Sequence, residues 1–274
     1  MAVSADVGIP IIGIAGTLCA SSVKIGAVGD RHAVPVNVGQ NYVTPPHFTV
    51  SFNGSSSYVD FGNSGTLDSF IIGRAFTIDC WIKLGSLGYL ASGVMMSKVK
   101  DEEIYCLLFD VINYGDHHRL RGSLSTVSGF DDPVSTAVLP NAADEWHHLL
   151  MAYDDLGDRK CYLAIDGQWV DSYETQGATV GDLREEEGAN IGLGRQMFGG
   201  SWFKGEMAWI RISNHIRYPV GVDFISPSRC TSPLLDANTL EIWTLDGGAG
   251  DTAVASVSSL NNGAMTDCTW QECE

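Results

Sequence analysis

Apolar and polar residues alternate strictly over much of the middle of the chain. In Phe76-Thr77-Ile78-Asp79-Cys80-Trp81-Ile82-Lys83, the residues Phe76, Ile78, Cys80 and Ile82 share one face, the pattern of a strand with one side on a core. Similar runs predict strands over 105–111, 146–153, 160–165, 189–194, 206–213 and 239–245. Between them stand turn-forming residues at Asn53-Gly54, 154–158, Asp166-Gly167 and Gly199-Gly200. Asp166-Gly167 separates 160–165 from 168–172 and predicts a two-residue type I′ hairpin. No stretch carries a convincing amphipathic helix. Many short strands with regular turns predict an all-β, antiparallel β-sandwich or closed barrel. Its core is expected at Phe76, Ile78, Ile82, Leu149, Leu163, Ile165, Ile191 and Ile210.

Charge divides the chain further. Of 274 residues, 16 are Lys or Arg and 33 are Asp or Glu, a net charge of −17 that repels nucleic-acid backbones and anionic membranes. Residues 1–50 hold only Asp6, Lys24, Asp30 and Arg31 and sum to zero, so the acidity lies after them. Thr44-Pro45-Pro46 forces extended backbone at the junction. Three segments are expected: an assembly arm over 1–47, a sandwich over 48–247 and a polar tail over 248–274. The stretch 11–19 has Asp6 before it and no Lys or Arg, which does not fit a signal peptide, and no apolar run reaches membrane-spanning length. The seven cysteines read as free thiols, with a Cys268–Cys273 bridge as the alternative.

Six motifs in order carry a family resemblance: Ser51-Phe52-Asn53-Gly54 with Tyr58-Val59-Asp60-Phe61, residues 76–82, Trp146-His147-His148-Leu149, residues 161–167, Asn190-Ile191-Gly192, and residues 203–212. This series resembles the laminin-G-like, concanavalin A-like jelly-roll domains. Residues 216–224 and 236–243 are further similar to the variant of that domain in structural proteins of tailed phages. The resemblance implies a non-enzymatic virion surface protein, a capsid decoration or tail component made in the host cytoplasm. Its partners would be virion proteins or copies of itself, held through the arm. A free-standing lectin or adhesin and a glycoside hydrolase are the alternatives.

Two glycine-hinged loops, 113–119 and 194–203, combine aromatic and planar polar side chains as sugar recognition requires. They nominate Tyr114, Asp116, Arg195 and Trp202 for a glycan; the bland reading has the aromatics capping the sandwich or touching a neighbouring subunit. Hydrolysis would need two facing carboxyls, whereas 101–103 and 185–187 are consecutive acidic runs expected in solvated loops. Neighbouring histidines at His117-His118 and His147-His148 point to opposite faces of a strand and cannot readily share a metal. The resemblance allows calcium at the sandwich rim, where Asp154, Asp155 and Asp158 are the densest oxygens; an acidic turn is the simpler account.

Overall fold

The computed structural model describes residues 48–63, 67–86, 92–101, 105–115, 117–127, 129–131, 134–139, 145–170 and 178–272. The expected arm, 1–47, and Cys273 lie outside them. One sheet contains β1 (Phe48–Asn53), β3 (Ala75–Leu84), β9 (Trp146–Asp154), β10 (Cys161–Ile165), β11 (Gln168–Val170), β13 (Lys204–Ser213), β14 (Thr239–Trp243) and β17 (Thr269–Glu272). The other contains β2 (Tyr58–Gly62), β4 (Ser92–Val99), β5 (Tyr105–Asn113), β6 (His118–Thr126), β7 (Gly129–Asp131) and β8 (Val134–Leu139), together with β12 (Asn190–Leu193), β15 (Thr252–Ala253) and β16 (Gly263–Thr266). The first runs β11-β10-β9-β3-β13-β1-β17, with β14 also on β13. The second runs β15-β16-β2-β12-β4-β5-β6-β7, with β8 also on β6. Every pairing is antiparallel, giving the expected jelly-roll sandwich.

The facing sheets enclose one core. Phe76, Ile78, Ile82, Leu149, Leu163, Ile191 and Ile210 are buried in it, and Ile165 packs partly buried against it. On β13 a register shift between Met207 and Ile210 changes which alternate residues face inward. Met207, Ile210 and Ile212 enter the core, while Trp209 and Arg211 turn to the outer side. Gly205 serves a close approach, because a Cβ there would collide with the Lys83 carbonyl oxygen. The Asp166-Gly167 hairpin is as expected, with φ of 51° and 83° at its two central residues.

Residues 214–238 form a strap over the outer side of the first sheet. Three indoles fasten it: Trp81 Nε1 donates to Pro227 O (3.0 Å), Trp169 Nε1 to Val222 O (3.1 Å) and Trp209 Nε1 to Ser228 O (3.2 Å). Tyr218 and Phe224 stack at 3.8 Å over Leu150, Ala152 and Ala164. Beneath them lies a fully buried ionic group. Arg211 donates to both carboxylate oxygens of Asp79 (2.9 and 2.5 Å), and its Nη2 also donates to Tyr218 Oη (3.2 Å). His148 Nε2 lies 3.3 Å from Asp79, its ring surrounded by Trp81, Trp209 and Phe224.

The residues after 247, which composition sets apart as a tail, supply strands to both sheets: β17 pairs with β1, and β16 with β2. Glu241 holds the crossing. Its buried carboxylate accepts from the backbone N–H groups of Ile242, Val257 and Ser258 (3.0, 2.7 and 3.1 Å) and from Asn261 Nδ2 (2.8 Å). Cys80, Cys106, Cys161, Cys230 and Cys268 are free thiols; burial pushes the Cys106 thiol up to about 11 and that of Cys268 up to about 12.

Candidate functional site

The loop 194–203 is a small hairpin on the outer side of the second sheet. Gly194, at φ +82°, turns the chain where a Cβ would collide with the Phe52 ring. Arg195 and Trp202 then face each other as a bridge, closed by Gln196 N–H to Ser201 O (2.9 Å) and Phe203 N–H to Gly194 O (2.8 Å). Ser97 fixes the hairpin to β4, since its Oγ donates to Arg195 O (3.0 Å) and accepts from the Met197 N–H (3.1 Å). Met197 fills the space over Gly192 and packs with Val94, Val99 and Leu108. At the tip Phe198 holds φ +63° and is 48% exposed. A bulky residue in this left-handed region is an outlier, and here it carries an aromatic ring into solvent.

The base of the hairpin gathers three planar groups. The Arg195 guanidinium lies 3.9 Å from the ring centroid of Tyr58 and 5.5 Å from that of Trp202, and the two rings are 6.3 Å apart. All three side chains are half-buried. Arg195 Nε is closed off and has no hydrogen-bond partner.

Of the residues nominated from sequence, Arg195 and Trp202 thus come together, and Tyr114 joins a different group. Tyr114 sits in the β5–β6 turn, with its ring stacked on His117 at 5.6 Å and Arg119 at 5.5 Å from its centroid. Register separates the groups. Leu193 pairs with Met96 and Ser92 with Ile112, so the turn lies two strands across and some four residues along, roughly 15 Å away. Asp116 lies outside the described residues. The proposed loop 113–119 also shortens, because Asn113 ends β5 while His118 and Arg119 belong to β6. Tyr58 was not nominated. Its signal was the alternation in Tyr58-Val59-Asp60-Phe61, where buried Val59 and Phe61 leave Tyr58 facing outward.

The acidic runs differ from expectation at one position. Glu186 is buried, not solvated: it accepts from the N–H groups of Phe70, Ile71 and Ile72 (3.2, 2.8 and 2.8 Å) and lies 3.8 Å from the buried Lys98 ammonium. Burial pushes the Glu186 carboxyl up and the Lys98 ammonium down. Three backbone donors explain why a carboxylate can sit there, and nothing in a run of three glutamates distinguishes the middle one. Glu102 and Glu103 are outside the described residues.

The calcium carboxylates do not form a cradle. Asp154 Oδ1 accepts from Leu156 and Gly157 N–H, Asp155 from Gly73 N–H and Arg159, and Asp158 from Lys160 N–H and Tyr162. These oxygens are taken up by donors of the turn and of Gly73, whereas calcium takes six to eight oxygens converging on one point. Among the described residues no three His, Cys, Asp or Glu side chains converge as a metal site. His147 and His148 have separate side-chain partners, Asp166 at 2.7 Å and Asp79 at 3.3 Å.

The two antiparallel sheets form a jelly-roll β-sandwich whose outer face carries an aromatic and arginine cluster. Residues 53–219 match the family described as the concanavalin A-like lectin/glucanases superfamily, with a laminin-G-like domain, and the chain belongs to that family. No curated protein matches it in sequence. A proposed carbohydrate-binding protein from Bacteroides ovatus superposes with a TM-score of 0.52 at 14% identity, over 84% of this chain and 60% of that one. The Ruminococcus gnavus IT-sialidase CBM40 bound to α2,3-sialyllactose gives 0.48 at 11% identity, over 62% and 91%. The native heptameric SAP-like pentraxin from Limulus polyphemus gives 0.46 at 13%, over 62% and 77%. At these identities the likeness is one of fold.

Proposed function

We propose that this protein is a non-enzymatic glycan-binding domain displayed on a virion surface. The observation that carries glycan binding is the Tyr58–Arg195–Trp202 cluster on a hairpin anchored by Ser97 and Met197. A sugar lays its apolar C–H face on an aromatic ring and offers its hydroxyls to planar donors, and this cluster supplies both. The family's description spans lectins and glucanases. Binding without hydrolysis is favoured because, among the described residues, the buried carboxylates Asp79, Asp110, Glu186 and Glu241 are each taken up by structural donors. A shallow site of this kind binds in the millimolar to micromolar range.

Trp202→Ala is expected to weaken binding of any glycan that the intact protein retains on an array by about tenfold or more, at an unchanged fold. Isothermal titration of the array hit checks this. An array without a hit on both the free chain and its assembled form, or a variant binding as wild type, would remove the reading. Turnover of a polysaccharide, abolished by one carboxylate substitution, would move the protein among the glucanases.

The virion setting rests on the resemblance of residues 216–224 and 236–243 to the phage variant and on the neutral composition of residues 1–47, which can lie along a partner without the repulsion of an acidic face. In this reading residues 1–47 are the arm that fastens the domain to virion proteins or to further copies. Deleting 1–44 should leave the melting temperature unchanged and abolish incorporation or self-association. A truncated chain that fails to fold would assign the arm to the domain instead.

A further inference from the structure

Within the glycan-binding reading, on which this rests, we infer that the sugar carries a carboxylate and that Arg195 is its receptor. The chain has 33 acidic residues, and four arginines are paired with them: Arg121 with Asp110, Arg159 with Asp155, Arg211 with Asp79 and Arg217 with Asp236. Arg195 is in no such pair. Among the described residues its guanidinium has no carboxylate partner and its buried Nε donates to nothing; the side chain stacks against Tyr58 and beside Trp202. A guanidinium carries five N–H donors in a planar fork. Here the Nε–H is buried and, among the described residues, without an acceptor.

Stacking fixes the plane of the fork in advance and lowers the ordering cost of binding an anion. With Nε closed off, the two Nη atoms remain to meet a planar carboxylate in a bidentate contact. The rings on either side would take the apolar face of the same sugar. The overall charge of −17 opposes an anion at long range, but beyond roughly 8 Å physiological salt screens that opposition. The contact at Arg195 is shorter and partly buried, so it prevails.

Matched probes test this on the unaltered protein: trigalacturonic acid and sialyllactose, each against its own methyl ester, with lactose 3′-sulfate as a second anion. The acids are expected to bind about 10- to 100-fold more tightly than their esters. Arg195→Gln should erase that difference, bringing each acid and its ester to the same, weaker affinity. Equal affinity of acid and ester, still lost in Trp202→Ala, would overturn the carboxylate assignment and leave glycan binding standing. A preference that survives in Arg195→Gln, or tighter binding of the sulfate than of either acid, would also overturn it. Failure of every probe and of the glycan array would remove both readings together.

Discussion

Arg211→Met is expected to lower the unfolding free energy by about 3–5 kcal/mol at neutral pH, the cost of breaking a buried ion pair from one side. Asp79 would remain under the strap with His148 as its only ring partner and no guanidinium. The effect should depend on pH. Burial raises the Asp79 carboxyl, but hydrogen bonds from His148 and Arg211 outweigh burial and hold it below 3.8. A carboxyl depressed in the folded state contributes stability that is present above its unfolded value and is lost as pH falls through the folded one. Without Arg211 the burial effect dominates, and protonation relieves the stranded charge. The gap between variant and wild type should therefore narrow below about pH 4. Urea unfolding at pH 7 and pH 3 measures both quantities; a loss under 1 kcal/mol, or one equal at the two pH values, would refute this account. Adding Asp79→Leu should recover much of the loss, because replacing both members of a buried pair is far cheaper than removing one.

Glu241→Ala should cost about 2–4 kcal/mol, through the same physics with the sign of the group reversed. Here one buried carboxylate satisfies three backbone N–H groups and an amide, two of those backbone groups lying in the 255–261 crossover. Truncation strands those donors and opens a cavity beside Trp243, whose Nε1 donates to Asn261 O (2.8 Å). The loss should be local in its first consequence. Hydrogen exchange is expected to quicken over 252–272 before the central strands β3, β9 and β13 respond. Uniform loss of protection across both sheets would show that the crossover is not a separate unit.

The strands that face the core on one side were legible, because burial on one face writes a period of two. β3, β5, β9, β10 and β13 lie within one to two residues of their expected ends. β4 was not expected. Seven of its eight residues are buried, so Gly93-Val94-Met95-Met96 shows no alternation to read. The strands after 247 were missed for another reason. β15, β16 and β17 are two to four residues long and pair at sheet edges, and their contacts with the core are sparse: Ala253, Met265 and Trp270. Arg195 and Trp202 were legible as loop chemistry. That Tyr58 joins them is a matter of sheet order, since β2 pairs with β12, far away along the chain, with Val59 opposite Leu193, and composition carries no trace of that adjacency.

The pairing of β1 with β17 has a mechanical consequence. Phe48 opposes Glu272 and Ser51 opposes Thr269, so the first described strand begins where the last one ends. Tension applied at those two points pulls across the antiparallel ladder and parts it one residue pair at a time, as a zipper opens, instead of loading all its hydrogen bonds together in shear. A load entering at Phe48 and leaving at Glu272 would therefore peel β17 away early, at low force, while β3, β9 and β13 carry none of it. A load that enters at Phe48 alone and leaves through the opposite end of the sandwich meets the whole width of both sheets.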